Sequence, residues 1–289
     1  MTGPWDVKEP LGAELPVYTY TLSSTTMAFY CLYFFEECDR FTGAKSADTV
    51  CAVVFRLKEG NLNTQRTQGI IFDLDGTLYQ MKFMKIKMTV RLLRSLVFLR
   101  HLSAARSVVR QNRFGGRAEL LATFYGELAS RTGKSVQQSR TWYENDFYRA
   151  FIRVLARWAE PRAGLTDLLV KLRQGGLKLA VVSDFGRIND RLEALRIDPT
   201  LFDIIKSSED CGALKPAPES FLSVARVWGV PPQEILVVGD REDRDGEGAH
   251  HAGMSFLGIT DKQNAHADFY SWKDALIKLE LTTNCGVNV

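Results

Sequence analysis

The stretch Gly69-Ile-Ile-Phe-Asp-Leu-Asp-Gly-Thr-Leu-Tyr79 decides how this chain folds. Ile70, Ile71 and Phe72 make an apolar run of the length of a short buried strand, and Asp73, Leu74, Asp75, Gly76 and Thr77 follow where that strand would end. Two carboxylates then stand at i and i+2 on the carboxyl edge of a sheet, the edge at which open α/β sheets bind ligands. Gly76 lets the backbone bend away without the penalty of a Cβ. Paired carboxylates suit a hard, oxygen-bound cation such as Mg²⁺. An aspartate facing a phosphoryl group can act as a nucleophile, and a second one can serve as general acid towards the leaving oxygen and general base towards water. A strand followed by an Asp-Gly turn, with no chemistry, explains the same residues equally well.

Three later segments separate these readings. Lys178 to Asp184, KLAVVSD, is an apolar run that ends at Ser183; Lys215 stands in ALKPAPESF; Asp240 and Asp245 stand in ILVVGDREDRD. In this order, and with FDLDGT at the head, the four segments resemble the signatures of the haloacid dehalogenase superfamily of aspartate-nucleophile phosphohydrolases. The resemblance implies that Asp73 attacks phosphorus, Asp75 carries the proton, Ser183 holds the phosphoryl group and Lys215 offsets its charge. It further implies a Mg²⁺ site formed by Asp73, Asp75 (through its backbone carbonyl), Asp240 and Asp245. An acid at position 75 favours phosphatase chemistry, because a leaving halide needs no proton. The chain departs from the family pattern in two places. Tyr79, Gln80 and Met81 stand where phosphomutases of the β-phosphoglucomutase type carry an acidic residue, and Ala217 stands where many members have Asp.

Outward from these segments, the chain beyond Pro161 alternates between helices and strands, which implies a parallel sheet with right-handed crossovers. Helices are expected over 165–174, 188–195, 218–228 and 247–252, strands over 177–183, 202–206, 235–239 and 255–260, and a closing helix over 268–281. Residues 82–158 read as helical throughout: 85–110 has few breakers, Gly115 and Gly116 interrupt, and 118–131 and 135–158 resume. The expected fold is therefore α/β, with a Rossmann-like parallel sheet core over 67–81 and 159–289. The resemblance makes 82–158, between the first and second signatures, an inserted all-helical cap of the type found in phosphoglycolate phosphatase-like and β-phosphoglucomutase-like members. Residues 1–66 precede the family pattern. Their apolar stretch Met27 to Phe35 is too short to span a bilayer, and Cys51 to Leu57 has the composition of a strand. A strand pair appended to the sheet and a start codon placed too early both account for this extension.

The 289 residues carry a net charge of +3 and 45% hydrophobic side chains, a composition that fills a core and gives no sign of disorder. Segment 82–158 holds 16 Lys and Arg against 4 Asp and Glu, a balance of +12, whereas the rest of the chain stands at −9. Such asymmetry points to an anionic partner for the basic part. Arg91, Arg94, Arg100, Arg106, Arg110, Arg113 and Arg117 either form a solvated surface or line an entrance for an anionic substrate. Leucines and Val97 interleave with them as in a surface-active helix. The five cysteines make no C-x-x-C pair and no zinc spacing, and so read as free thiols of a reducing, cytoplasmic protein. Thr132 to Ser135, TGKS, lacks the earlier glycine and the strand of a phosphate loop.

The expected function is a Mg²⁺-dependent phosphohydrolase that works through an aspartyl-phosphate on a small phosphorylated metabolite such as a sugar phosphate, a nucleotide or phosphoglycolate. The alternatives are a phosphomutase, or a protein that binds membrane or nucleic acid through its basic helices. No specific nucleic-acid motif is present.

Overall fold

Gly69 joins the three apolar residues of the opening stretch in a strand buried at every position (β1, Gly69–Phe72). A strand buried on both faces belongs in the middle of a parallel sheet. In the computed structural model, which describes residues 67–81, 83–261 and 269–284, β1 lies between β2 (Lys178–Ser183) and β4 (Ile235–Gly239). The sheet continues through β3 (Ile204–Ser207), β5 (Ser255–Ile259) and β6 (Phe269–Tyr270). Its order is β3-β2-β1-β4-β5-β6, and every pairing is parallel.

Alternation along the strands builds two apolar layers. Ile71, Ala180, Val182 and Val237 point to one face, where Phe221, Val224 and Trp228 of α8 (Glu219–Trp228) and Ala249 of α9 (Glu247–His251) cover them. Ile70, Phe72, Leu179, Val181, Leu236 and Val238 point to the other. There they join Leu165, Leu168, Leu169 and Leu172 of α6 (Leu165–Gln174), Leu192 of α7 (Ile188–Ala194) and Ala275 and Leu279 of α10 (Trp272–Asn284). The expected parallel α/β sheet is what forms.

Between β1 and β2 the chain makes α1 (Met84–Arg91), α2 (Leu96–Arg110), α3 (Arg117–Thr132), α4 (Val136–Thr141) and α5 (Tyr148–Trp158). Met84 and Met88, one turn apart, bury the inner side of α1, and Phe98, Leu102, Ala105 and Val109 bury that of α2. The single helix expected over 85–110 is two. Leu92 and Ser95 leave the helical region, and the Ser95 hydroxyl accepts a bond from Trp142 Nε1 at 3.0 Å, a tertiary contact that local propensity does not contain. The helix expected over 135–158 starts at a capping box of Ser135 and Gln138 but widens into a π turn at Trp142–Phe147. That turn gathers Trp142, Tyr143, Phe147 and Tyr148 into one buried aromatic cluster, with Tyr143 stacked on Phe147 at 5.3 Å and edge-on to Tyr148 at 5.0 Å. Thr132 ends α3 and Ser135 caps α4, so TGKS is a helix-to-helix turn.

Phe269 and Tyr270, expected to open the closing helix of 268–281, form the edge strand β6 instead, and the helix starts at Trp272; two edge residues are too few to leave a period. Cys51 to Leu57 lies outside the described residues, as do all the cysteines except Cys211, which is a free thiol. No helix among the described residues is long and apolar enough to cross a membrane.

The helices are tied to the sheet unit at Gly212, whose carbonyl accepts from Phe114 N at 2.9 Å. Gly212 has φ +69, and a Cβ there would stand 2.3 Å from Phe114 O. Gly212→Ala is expected to lower stability by roughly 1–3 kcal/mol, read from the midpoint of urea denaturation. An unchanged midpoint would mean that this close approach is not maintained.

Candidate active site

Because all strands run the same way, their carboxyl ends share one edge. Asp73 follows β1, Ser183 ends β2 and Asp240 follows β4, while Lys215 stands between β3 and α8 and Asp245 in the π turn Glu242–Gly246 after β4. Lys215, almost fully buried, donates from Nζ to Asp73 Oδ1 at 2.7 Å, to Asp245 Oδ1 at 2.7 Å and to the Val182 carbonyl at 2.9 Å. Thr77 Oγ1 donates to the other oxygen of Asp73 at 3.1 Å. Asp73, Asp240 and Asp245 present carboxylate oxygens within 4.8 Å of one another. The backbone takes Asp240 close to the turn at Gly76: φ is +97 there, and a Cβ would lie 2.1 Å from Asp240 Oδ2. Buried Arg162 clamps the same turn by donating to the carbonyls of Gly76 and Thr77 at 2.6 and 2.8 Å.

Asp75 belongs to a second, adjoining group. Its carboxylate accepts from Tyr79 OH at 2.5 Å, from Ser183 Oγ at 3.1 Å and from Arg191 Nη2. Arg191, fully buried, also donates to Ser183 Oγ and to the Phe185 carbonyl, each at 3.1 Å. The six residues marked in the sequence thus gather at one sheet edge, with the side chain of Asp75 turned to Arg191 and Tyr79 rather than to the three-carboxylate cluster.

The two groups differ electrostatically. Burial pushes Asp73 well above the ordinary carboxylate value; Lys215 opposes this, and Asp245, Asp240 and Asp75 add to it. Asp240 is pushed up to about 7, first by burial and then by Asp245, and Asp245 is raised by burial despite Lys215. For Asp75, burial pulls upward, yet the charge and hydrogen bonds of Arg191, with help from Tyr79 and Ser183, take it below the ordinary value. Two buried carboxylates and the half-buried Asp240 against one ammonium leave an excess of negative charge, and their donor set consists only of hard oxygens. Both features fit Mg²⁺.

The helical insertion covers this edge with arginines. Arg106 donates to Glu209 Oε1 at 2.9 Å, to Tyr143 OH at 2.8 Å and to the Asp184 carbonyl at 2.6 Å. Arg110 donates to the Lys215 carbonyl at 2.9 Å and to Asp184 Oδ2 at 3.2 Å. Arg113 pairs with Glu219, and Arg117 with Glu209 and Asp210. Tyr148 OH accepts from Gly186 N at 2.8 Å. Arg191, Arg162 and Glu209 carry no mark of a site in the sequence, and Thr77, though part of FDLDGT, has no role that the segment implies. Tyr79 stands out there only as a departure from the mutase pattern, and a buried arginine cannot be told from a solvated one by its letter.

Asp240 gives a signed test of this electrostatic picture. Its folded value lies above its unfolded one, so folding favours the protonated acid and stability falls as pH rises from about 4 to about 7. In metal-free buffer, Asp240→Asn should be more stable than the parent at about pH 8, by on the order of 2 kcal/mol, with the gap closing by about pH 4. Denaturation at the two pH values checks this; an equal gap at both would show that Asp240 titrates as an ordinary carboxylate.

Known proteins resemble this chain in sequence and in fold. A family model described as haloacid dehalogenase-like hydrolase matches residues 67–253. The chain is 36% identical over 99 residues to Protein SUPPRESSOR OF QUENCHING 1, chloroplastic, of Arabidopsis thaliana, covering 32% of this chain and 9% of that protein. It is 35% identical over 98 residues to a glyceraldehyde 3-phosphate phosphatase of Methanopyrus kandleri, covering 34% of this chain and 42% of that one. It is also 41% identical over 87 residues to the haloacid dehalogenase-like hydrolase domain-containing protein 3 of Bos taurus, with 29% and 34% covered. The chain therefore spans less than half the length of these curated relatives. Among solved structures, a Thermotoga maritima protein assigned as a β-phosphoglucomutase superposes with a TM-score of 0.53 at 18% identity, over 74% of this chain and 99% of that one. A 2-haloacid dehalogenase of Pseudomonas syringae does so with 0.52 at 19%, over 73% and 98%. At such identities the structural likenesses speak for the fold alone. With the match over 67–253 embracing all four signatures and the edge at which they meet, the chain belongs to the haloacid dehalogenase-like hydrolase family.

Proposed function

We propose that the chain is a Mg²⁺-dependent phosphatase of small phosphorylated metabolites that works through an aspartyl-phosphate on Asp73. The observation that carries this reading is the convergence of buried Asp73, Lys215 and Asp245 with half-buried Asp240 into one cluster beside Ser183 and Asp75. Asp73, Asp240 and Asp245 would hold the cation, with the carbonyl of Asp75 as the family pattern implies. When bound, it would offset the carboxylate charge and the charge of the phosphoryl oxygens.

Lys215 fixes one oxygen of Asp73 and Thr77 the other, so the carboxylate is oriented before substrate arrives. Attack by Asp73 forms the bond to phosphorus as the ester bond breaks, and the leaving oxygen takes a proton from Asp75. Water then attacks phosphorus of the aspartyl-phosphate and gives a proton back to Asp75, the bond from phosphorus to the Asp73 oxygen breaks, and inorganic phosphate leaves with the Asp73 carboxylate restored. As Arg191 and Tyr79 hold it, Asp75 is ionised and suited to the second step. Its acid role requires those contacts to be exchanged for contacts with substrate. Ser183 would hold a phosphoryl oxygen, and the helical insertion, acting as a cap over the edge, would exclude water. The glyceraldehyde 3-phosphate phosphatases among the relatives support a small phosphate ester as substrate, alongside the sugar phosphate, nucleotide and phosphoglycolate classes. The cysteine pattern supports the cytoplasm as compartment.

The deciding experiment is phosphate release from a panel of phosphorylated metabolites and a generic aryl phosphate, with and without Mg²⁺. Asp73→Asn should abolish turnover, since an amide is a poor nucleophile. Turnover at the parent rate would remove Asp73 from the mechanism. Asp75→Asn should slow alkyl phosphate hydrolysis by about 10² to 10⁴ and let phosphorylated Asp73 accumulate on an aryl phosphate, visible by mass spectrometry. Equal rates for parent and variant would count against the proton role.

A further inference from the structure

Helix α1 and the start of α2 carry two apolar stripes on opposite sides. One is Met84, Met88, Leu92 and Phe98, which enters the core. The other comprises Ile86 and Val90, one turn apart on α1, Leu93 in the 3₁₀ turn that follows, and Leu96 and Val97 at the head of α2, all exposed within or on either side of the break at Leu92 to Ser95. Ile86 and Val90 are each 62% exposed and Leu93 is 58% exposed, with Leu96 and Val97 near 40 and 39%. Isolated exposed aliphatic residues are ordinary on a protein surface; five of them within positions 86 to 97 are not.

The charges around this stripe are of one sign. From Gly76 to Ala118 the sequence contains ten lysines and arginines and no acid. Lys85, Arg91, Arg94 and Arg100 are exposed and have no acidic partner among the described residues. They differ in this from Arg106, Arg110, Arg113 and Arg117, whose charge is matched by acids of the sheet unit. Trp158, 60% exposed, stands beside α1 with its ring centre 5.3 Å from the Lys87 ammonium, and tryptophan favours the boundary between lipid and water.

We propose that this face of α1 and the start of α2 seats the protein on an anionic lipid surface. A convex aliphatic stripe flanked by arginines is complementary to a layer that offers apolar chains below a plane of negative headgroups. A nucleic acid would satisfy the arginines and leave the aliphatic side chains without a counterpart, because single strands are gripped by aromatic stacking. Seating is peripheral, and its charge component weakens with salt.

The test is co-sedimentation of the full chain with phosphatidylcholine vesicles containing about 30 per cent phosphatidylserine, and with phosphatidylcholine alone. Binding is expected to the anionic vesicles only and to fall as salt rises. Val90→Gln with Leu93→Gln should abolish it, and Arg91→Gln with Arg94→Gln should weaken it about fivefold per arginine; both variants should keep the parent phosphate-release rate as evidence of folding. Failure of parent binding, or binding that both variants retain, overturns the proposal whatever the phosphatase assays show. So does a switch from dimer to monomer in Val90→Gln with Leu93→Gln by light scattering, which would make a second copy the occupant, and so does retention of single-stranded RNA without vesicles. A Val90→Cys thiol that resists a maleimide in vesicle-free full-length protein, read by peptide mass, would show that the face is covered from within the chain and would also overturn it.

Discussion

A lysine ammonium taken out of water and wedged between two aspartates is the interaction on which the rest of this structure depends. Removing an ion from water costs several kcal/mol, even after the protein relaxes around it. Lys215 recovers that cost by touching Asp73 and Asp245 together, and its own backbone is held by Asp184 through the amide and by Arg110 through the carbonyl. These contacts come from the ends of two strands, a π turn and a helix of the insertion. The parallel sheet serves the site because it delivers strand ends to one edge, and the turn at Gly76 serves it because nothing larger would let Asp240 approach.

Charge is arranged in the same spirit at longer range. The basic balance of 82–158 and the acidic balance of the remainder point, as bare numbers, to an outside anion. Four of the arginines that create the balance meet acids of the sheet unit instead: Arg106 and Arg117 on Glu209, Arg110 on Asp184, Arg113 on Glu219. Arg106 is buried and Arg110 mostly so, whereas Arg113 and Arg117 make their pairs at the solvated surface. Arg91, Arg94 and Arg100 stay exposed, so the asymmetry has two sources with different physical meanings.

The sheet and most of its helices are legible in the sequence because each strand ends at a polar or glycine punctuation and each helix has its apolar spacing. Leu165–Gln174 and Ile235–Gly239 fall where pattern alone puts them. The break at Leu92 and the π turn at Trp142 are not legible. Both are settled by side chains distant in sequence, Ser95 with Trp142 and Tyr143 with its aromatic neighbours. The six marked residues do meet at one edge, yet the partner that turns Asp75 away from the carboxylate cluster, Arg191, lies 116 positions on and outside all four signature segments.

Arg106 and Glu209 are 103 positions apart and both lie in the interior. Loss of Glu209 alone would strand the buried guanidinium, and loss of Arg106 alone would leave Glu209 with the half-exposed Arg117, at 3.4 Å, as its ionic partner; loss of both to well-fitting apolar residues could be nearly neutral. Descent with modification at these two sites is thus constrained to move in couples. In lineages sharing this architecture, an exchange at one of them should carry its record at the other, a correlation imposed by the dielectric of the interior and not by catalysis.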